Sequence, residues 1–389
     1  MSRRLLRAFA GVFGVLGTAL VLLLAGPGTM AGCEVIASVD RSMIPSGGGA
    51  SGDGGGPSGG GGSDGSTPSP DLSPSGGVQD MTPPPPPPPD MTVTWSVGND
   101  GDNQMRDLVG VWGSSGTDIY VVGIQGAAYH SSNHGASWQA VSGLPSDQYS
   151  SIWGTAADNI YVSAGVIGSG HIYRFHGGSW TAVSTGTQPL AYVWGTSASD
   201  IYAVGASGTI LHATDGVTFT AQTSNTTVQL AAVGGSAGDV YVVGGNGGGS
   251  STNTILHSTN AGGTWTAQMP VAATSVSAGV WGSAAMTAFV TSYANAGLAL
   301  TTNGGGTWSA GPANPTNSAG FYGIWGTSAT DVYLAGATTT GALLAHYDGT
   351  SLKPAVTTSN AGDGFQAVWG ASATEIYAVG PTGLIAHTP

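Results

Sequence analysis

Basic side chains are scarce in this sequence. Lys and Arg together number 7 of 389 residues, against 20 Asp and Glu, and the formal net charge is −13. Nucleic-acid binding needs clustered Lys and Arg to neutralise phosphates, so that class of function is excluded. A single Cys excludes a disulfide scaffold. What is abundant is Gly, at 68 residues, which with the many Ser and Thr residues is typical of short strands joined by turns rather than of a helical bundle.

The first 32 residues have the pattern of a signal peptide. Arg3, Arg4 and Arg7 precede an uncharged apolar run over 8–24, and small residues follow. The segment Met30-Ala31-Gly32-Cys33 resembles the lipobox of bacterial lipoproteins, and this resemblance implies lipidation at Cys33. The alternatives are ordinary cleavage after Ala31, with plain secretion, and an uncleaved membrane anchor.

Removal of this leader would leave four basic residues against twenty acidic ones, a formal charge of −16. Glu34 follows Cys33, and by resemblance to enterobacterial lipoproteins the lack of Asp there favours the outer membrane. We therefore expect an outer-membrane or cell-surface lipoprotein, or otherwise a periplasmic or secreted protein.

Residues 33–91 form a low-complexity linker. Gly/Ser tracts such as Gly59–Gly62 bury too little apolar area to offset the entropy of ordering them. The seven prolines Pro83–Pro89 predict a stiff polyproline segment. We interpret the linker as a spacer that holds the folded part away from the membrane, which the chain contacts only through its lipid anchor.

From residue 111 onward the chain consists of seven sequence repeats spaced 39 to 48 residues apart. Each begins near a Val-Trp-Gly such as Val111-Trp112-Gly113, and an aromatic residue follows the Trp by eight positions in most copies, as Tyr120 does. Each unit reads as four short strands, and a period in the forties with four strands is typical of a propeller blade. The sequence predicts an all-β, seven-bladed β-propeller over 92–389.

The last repeat ends after its third strand, at residues 386–389. Residues 92–97 match the phase of a fourth strand in the other repeats. We expect this N-terminal segment to complete the last blade, which would close the ring and remove exposed strand edges.

The turn Ser131–Trp138, with Asn133 and Gly135, recurs as Ser258–Trp265 and Thr301–Trp308. It resembles the Asp-box, or BNR repeat, of sialidases and many non-enzymatic propellers. Sialidases hold the substrate carboxylate with three arginines, and after the linker this chain has only Arg106 and Arg174. Sialidase activity is therefore excluded. Propellers that assist photosystem assembly carry related repeats but arginine-rich surfaces. The overall pattern resembles poorly described envelope lipoproteins of deltaproteobacteria.

Tryptophan and histidine mostly follow the repeat. All eleven Trp fall at first-strand or fourth-strand positions, which predicts packing between blades. Five of the eight His recur on the third strand: His130, His212, His257, His346 and His387. Because repeat-related positions lie in different blades, a shared His metal centre is not expected.

Three acidic residues lie in loops that precede first strands of neighbouring blades: Asp107, Asp147 and Asp363. Their carboxylates could converge at one mouth of the channel and form an oxygen-rich calcium site. The alternatives are exposed turn acids that aid solubility, or paired carboxylates for glycoside hydrolysis. No other cofactor is expected.

Aromatic residues stand four positions before the first-strand Trp in three blades: Tyr149, Phe321 and Phe365. At a channel mouth they could stack on a sugar or seat a peptide. The alternative is that they plug the end of the channel.

The sequence favours a non-enzymatic binding or scaffolding module of the bacterial cell envelope, presented on a flexible tether. Its partner would be a protein or glycan of the envelope, and we expect a monomer. The alternative is a glycan-active enzyme or a calcium-dependent glycan binder that uses acids at the channel mouth. A structural surface-coat protein is a third hypothesis, and it would self-associate.

Overall fold

The computed structural model describes residues 92–94, 106–245, 253–268, 277–293, 297–314, 316, 320–358 and 364–388. The expected leader, Cys33, the linker, residues 95–97 and Asp363 lie outside these ranges. Over the described residues, strands form seven antiparallel sheets of four strands each, which confirms the predicted seven-bladed propeller. Within them no helix is long and apolar enough to cross a membrane.

Blades 1 to 4 each contain four consecutive strands. Blade 1 has β2 (Leu108–Ser115), β3 (Asp118–Gly123), β4 (Ala128–Ser131) and β5 (Gln139–Ala140). Blade 2 has β6 (Tyr149–Ala156), β7 (Asn159–Val166), β8 (Ser169–His176) and β9 (Ser179–Gly186). Blade 3 has β10 (Leu190–Gly195), β11 (Ile201–Gly205), β12 (Ile210–Ala213) and β13 (Thr220–Gln222). Blade 4 has β14 (Leu230–Ser236), β15 (Asp239–Gly245), β16 (Asn253–Ser258) and β17 (Thr266–Gln268).

Blades 5 and 6 repeat the pattern, and blade 7 departs from it. Blade 5 has β18 (Ser277–Ala284), β19 (Thr287–Ser292), β20 (Leu298–Thr301) and β21 (Ser309–Ala310). Blade 6 has β22 (Gly320–Ser328), β23 (Asp331–Ala337), β24 (Ala342–Tyr347) and β25 (Leu352–Thr357). Blade 7 has β26 (Ala367–Ser372), β27 (Glu375–Gly380) and β28 (Leu384–His387), and its fourth strand is β1 (Thr92–Thr94). Short 3₁₀ turns span Ile124–Gly126, Ala206–Gly208 and Pro381–Gly383.

The N-terminal strand closes the ring. β1 pairs antiparallel with β28, with Thr92 opposite His387 and Thr94 opposite Ile385. The predicted closure is thus confirmed for 92–94. Because β28 would otherwise expose its backbone donors and acceptors, this pairing covers the edge strand of the last blade.

The Trp-Gly pair of the repeat fixes how neighbouring blades meet. A Cβ placed on Gly154 of blade 2 would lie 2.8 Å from the Trp112 ring of blade 1. The same relation joins Trp153 to Gly195. Each indole therefore occupies the space that a side chain on the next blade would need, so the Gly is required by contact rather than by its backbone angles.

The hydrophobic core lies between the blades. One cluster joins Trp112 and Val122 of blade 1 to Ile152 and Ile160 of blade 2. Another joins blade 1 to blade 7, and so extends across the point where the ring closes. Every blade is thus stabilised by apolar area that it shares with its neighbours.

The loops define two faces of the ring. We call the side with the loops leading into the first strands the top face, and it also carries the turns between second and third strands. The bottom face carries the first-to-second and third-to-fourth turns. Because the sheets are antiparallel, this assignment follows from strand order alone.

Deletion of residues 92–94 should destabilise the whole ring. Loss of three cross-strand pairs predicts a decrease of about 1–3 kcal/mol in the free energy of unfolding, measured by chemical denaturation of the full chain. Deletion of Gly60–Gly62 in the linker is the control and should leave the midpoint unchanged. Equal midpoints for the two deletions would contradict the closure.

The substitution Gly154→Ala should cost about 1–3 kcal/mol of unfolding free energy, because the added methyl group overlaps the Trp112 ring and also approaches the Asn159 carbonyl. Gly186→Ala is the matched control, since a Cβ there meets no atom within 4 Å. It should change stability by less than about 0.5 kcal/mol. A similar effect of both substitutions would argue against the proposed blade contact.

Candidate functional site

The recurrent acids and histidines of the repeat form a structural layer near the bottom face. In blade 1, His130 Nε2 lies 2.7 Å from Asp118 Oδ1, and the His130 ring stacks on Tyr120 with centroids 4.2 Å apart. Ser114 donates a hydrogen bond to the other oxygen of Asp118. The acid therefore holds the imidazole in place above the tyrosine ring.

Three further blades repeat this arrangement with closely similar geometry. The His–Asp distances are 2.6, 2.5 and 2.7 Å for His212–Asp200, His257–Asp239 and His346–Asp331. Blade 2 uses a different pair, in which Arg174 Nε donates to Asn159 Oδ1 at 2.9 Å and the guanidinium lies over Tyr161. The Arg174–Asn159 pair keeps a cation over the tyrosine ring where the other blades have an imidazole, so the layer helps to pack these five blades.

Some of these histidines also connect blades. Gln222 bonds the second ring nitrogen of His212 and accepts a hydrogen bond from Trp265 Nε1 of blade 4, each at 2.9 Å. Gln268 links His257 to Trp308 of blade 5 in the same way. Both imidazole nitrogens are then occupied, which leaves neither as a metal ligand.

The predicted calcium ligands belong to separate hydrogen-bond networks. Asp107 Oδ1 accepts from the Thr382 amide at 3.0 Å, which ties blade 1 to blade 7. Asp147 accepts from its neighbour Gln148 at 2.7 Å and pairs with His171 of its own blade at 2.6 Å. Within the described ranges, which omit Asp363, no group of three His, Cys, Asp or Glu residues could hold a metal ion. Because Asp363 lies outside these ranges, the calcium site stays a prediction.

The predicted mouth aromatics lie inside the blades. Tyr149 is 1% exposed, and Phe321 and Phe365 are fully buried within core clusters. The Tyr149 hydroxyl donates to the Pro145 carbonyl at 2.5 Å. This placement corrects the expectation that these rings meet a ligand, because a core side chain presents no surface to one.

A β-bulge explains the difference. The first strands of blades 2, 3 and 6 shift register just after this position, for example between Phe321 and Gly323. Phe321 points into the blade, whereas the next residue, Tyr322, lines the central channel. The position four residues before the first-strand Trp, or before Gly234 in blade 4, holds a large side chain in most repeats, as at Leu108, Leu190 and Leu230. That recurrence is the signal of a core position.

The channel itself is narrow. It encloses a cavity of about 50 Å³ lined by first strands, with Ser151, Tyr192, Tyr322 and Gln366 among the lining residues. A cavity of this size accommodates a few water molecules. The described first strands therefore leave room for a few water molecules at this level of the ring.

Three tyrosines that do not recur in the repeat lie at the mouth of this channel, on the top face. Tyr293 of blade 5 is 36% exposed, and its ring lies 5.5 Å from that of Tyr322 in blade 6. Burial, with a smaller contribution from Tyr322, raises the pKa of Tyr293 to about 12. Burial also raises the pKa of Tyr192 and Tyr322. All three hydroxyls are therefore neutral donors and acceptors at ordinary pH.

Comparison with known proteins supports the fold. No family model and no curated protein matches the chain. Among solved structures, YCF48 bound to D1 peptide is 12% identical with a TM-score of 0.59, covering 77% of this chain and 94% of that one. Virginiamycin B lyase from Staphylococcus aureus is 10% identical with a TM-score of 0.61, covering 76% and 98%. The WD40 propeller domain of Doa1 is 11% identical with a TM-score of 0.57, covering 76% and 96%. At these identities the similarity establishes a propeller fold.

The stacked tyrosines predict a steep loss of stability at alkaline pH. Burial raises the pKa of Tyr120 from 10.0 to about 12, and also raises the pKa of Tyr202, Tyr241 and Tyr333, in each case with a smaller effect of the nearby Asp. Because the folded state retains these protons longer than the unfolded state, their contribution is constant below pH 10 and decreases as the pH rises through about 12.

The measurement is denaturation at stepped pH, with phenolate absorbance recorded in parallel. Unfolding and tyrosine ionisation should coincide. Ionisation of most tyrosines near their ordinary pKa in the folded protein would contradict the buried layer.

Proposed function

We propose that this chain is a binding or scaffolding module of the bacterial cell envelope that takes an uncharged or basic segment of an envelope protein across the mouth of its central channel. The observation that carries the proposal is the Tyr293–Tyr322 pair at the top face, with rings 5.5 Å apart, beside a cavity that Tyr192 and Tyr322 line. Aromatic side chains with a hydroxyl group are enriched at protein interfaces because they combine apolar area with hydrogen bonding.

The register of β1 supports this choice of face. Thr92 lies opposite His387, the last residue of β28, and third strands end at the bottom face. β1 therefore begins at the bottom face, on the side of the ring opposite the tyrosines.

The charge distribution restricts the class of partner. The described residues contain Arg106, Arg174 and Lys353 as basic residues, and Lys353 pairs with Asp348 at 2.9 Å. Arg174 is held by Asn159 inside blade 2. The described surface offers few cationic side chains to pair with an acidic partner, so a neutral or basic peptide segment is the favoured ligand.

The structural neighbours are consistent with a protein partner. One of them was solved with a bound D1 peptide, and another is a WD40 domain. A lyase with the same fold is also among them, and for that reason the fold alone does not separate binding from catalysis. The choice here depends on the described mouth residues Tyr192, Tyr293, Tyr322 and Gln366, whose aromatic and amide groups suit the binding of a neutral segment.

The alternative is a calcium-dependent glycan binder or a glycan-active enzyme. Tyrosine rings can also stack on sugars, so a glycan ligand would use the same mouth. Dependence on calcium distinguishes this alternative, since the tyrosines need no metal.

The test is a binding screen of the full chain, purified in mild detergent, against arrays of envelope-protein peptides and envelope glycans. The double substitution Tyr293→Ser/Tyr322→Ser should weaken binding of the selected ligand about 30-fold, corresponding to roughly 2 kcal/mol for a central aromatic pair. Val217→Ser, at an apolar residue exposed on the bottom face, is the control and should leave affinity unchanged.

Three outcomes separate the hypotheses. Peptide binding that is lost in the double variant and insensitive to chelation supports the proposal. Glycan binding that requires calcium would favour the alternative, and binding that survives the double substitution would move the site away from the channel mouth.

A further inference from the structure

A second polar cluster of the top face lies at the turn between β7 and β8 of blade 2. Ser169 and His171 are two residues apart on β8 and therefore project from the same side of the strand. Ser169 Oγ lies 3.3 Å from His171 Nε2, and His171 Nδ1 lies 2.6 Å from Asp147 Oδ2. The order of contacts is hydroxyl, imidazole, carboxylate.

The carboxylate at the end of this series is firmly held. Asp147 Oδ1 accepts from the Gln148 amide at 2.7 Å, and Oδ2 accepts from the Tyr173 hydroxyl at 2.9 Å. The Asp147 carbonyl also accepts from the Gly126 amide of blade 1, at 2.8 Å. A carboxylate beside Nδ1 places the imidazole proton on that nitrogen, which leaves Nε2 as the acceptor that faces Ser169.

The backbone around the pair depends on three glycines. Gly165 and Gly168 have φ values of +149° and +88°, a region that side-chain-bearing residues avoid. Gly170, between Ser169 and His171, lies against the Gln188 carbonyl so closely that a Cβ would approach it to 1.9 Å. The loop before blade 3 thus packs directly against the beginning of β8.

The cluster is open to solvent at the serine end. The His171 side chain is 27% exposed and that of Asp147 is 14% exposed. Val166 and Ile167 at the tip of the same turn are 40% and 59% exposed. An apolar group could therefore contact the tip while a polar head reaches the serine hydroxyl.

We propose that Ser169 is a nucleophile activated by His171 and Asp147, and that this site hydrolyses uncharged acyl esters whose apolar chain contacts Val166 and Ile167. Ser169 Oγ bonds to the acyl carbon while its proton passes to His171 Nε2. The bond from the acyl carbon to the alcohol oxygen breaks, and the alcohol leaves with that proton. Water then attacks the acyl-serine, gives a proton to His171, and the carboxylic acid departs as Ser169 regains its hydroxyl proton.

This chemistry does not depend on the binding role proposed above. The channel-mouth tyrosines belong to blades 3, 5 and 6, whereas the serine site belongs to blade 2 and the loop before it. Loss of ligand binding in the tyrosine variant would leave ester hydrolysis intact, and absence of hydrolysis would leave binding intact.

Blade 2 supplies a matched control at its bottom end. Asp158, His176 and Ser179 also lie close together there, but the Ser179 hydroxyl donates to the His176 backbone carbonyl and not to its ring. The same three residue types thus occur in one blade with the serine aimed elsewhere, so Ser179 should not be activated.

The experiment treats the full chain with a fluorophosphonate probe, maps the labelled serine, and measures hydrolysis of p-nitrophenyl butyrate. Labelling should fall on Ser169. Ser169→Ala should abolish both signals, and His171→Gln and Asp147→Asn should lower the hydrolysis rate at least about 100-fold. Ser179→Ala should match the unaltered chain.

A second pair of variants keeps the test decisive if Ser169→Ala folds poorly. Ser169→Cys should react with iodoacetamide at neutral pH about 10-fold faster than Ser179→Cys, because His171 favours the thiolate, and both carry Cys33 as a common background. Failure of the probe to label Ser169, unchanged hydrolysis in Ser169→Ala, or equal alkylation of the two cysteines would overturn the proposal.

Discussion

The contact between an indole ring and a glycine on the next blade is the constraint on which the ring depends. Where Trp325 meets Gly370, a single added carbon would lie 2.6 Å from the ring, so the spacing of the first strands is fixed by atomic size. Blade 4 has Gly234 in place of the Trp. There Gly282 of blade 5 approaches the Gly235 backbone directly. Two kinds of contact therefore set the distance between neighbouring blades: an indole ring against a glycine, and a glycine against the backbone of another glycine.

The histidine–carboxylate pairs form a second set of constraints. They also affect how the net charge of the sequence is distributed between the interior and the surface. Of the described acids, Asp118, Asp200, Asp239 and Asp331 each hold an imidazole inside a blade. A formal charge of −13 would suggest a strongly acidic surface, but these four of the 20 acidic residues are committed to hydrogen bonds within their blades. They belong to the fold, which leaves polar residues that do not recur in the repeat as the candidates for surface chemistry.

The predictable part of this protein was the part that it repeats. Seven copies of one pattern were sufficient to predict strand number, blade number and the closing role of 92–97, of which the structure describes 92–94, because each copy repeats the periodicity of the others. The site could not be predicted in the same way. The bulge after Phe321 changes which side chain faces the channel. A shift of one residue cannot be recognised from the alternation of apolar and polar residues in the sequence. Likewise Asp147 and His171 are 24 positions apart, and only the folded blade brings them together. Recurring residues such as Leu108 and Phe365 maintain the fold, whereas the unshared Tyr322 and His171 are the candidates for function.

The register of β1 determines how the molecule would bear mechanical load. Thr92 lies at the bottom of the ring, and β1 runs upward from it beside β28. A pull on Thr92 directed away from the bottom face acts along the strand axis, so the hydrogen bonds that join Thr92–Thr94 to β28 are strained together and not broken one after another. A strand loaded in shear resists far greater force than the same strand peeled from its end. The residues that complete the last blade would therefore also serve as the mechanical junction between the propeller and whatever holds its N-terminal side.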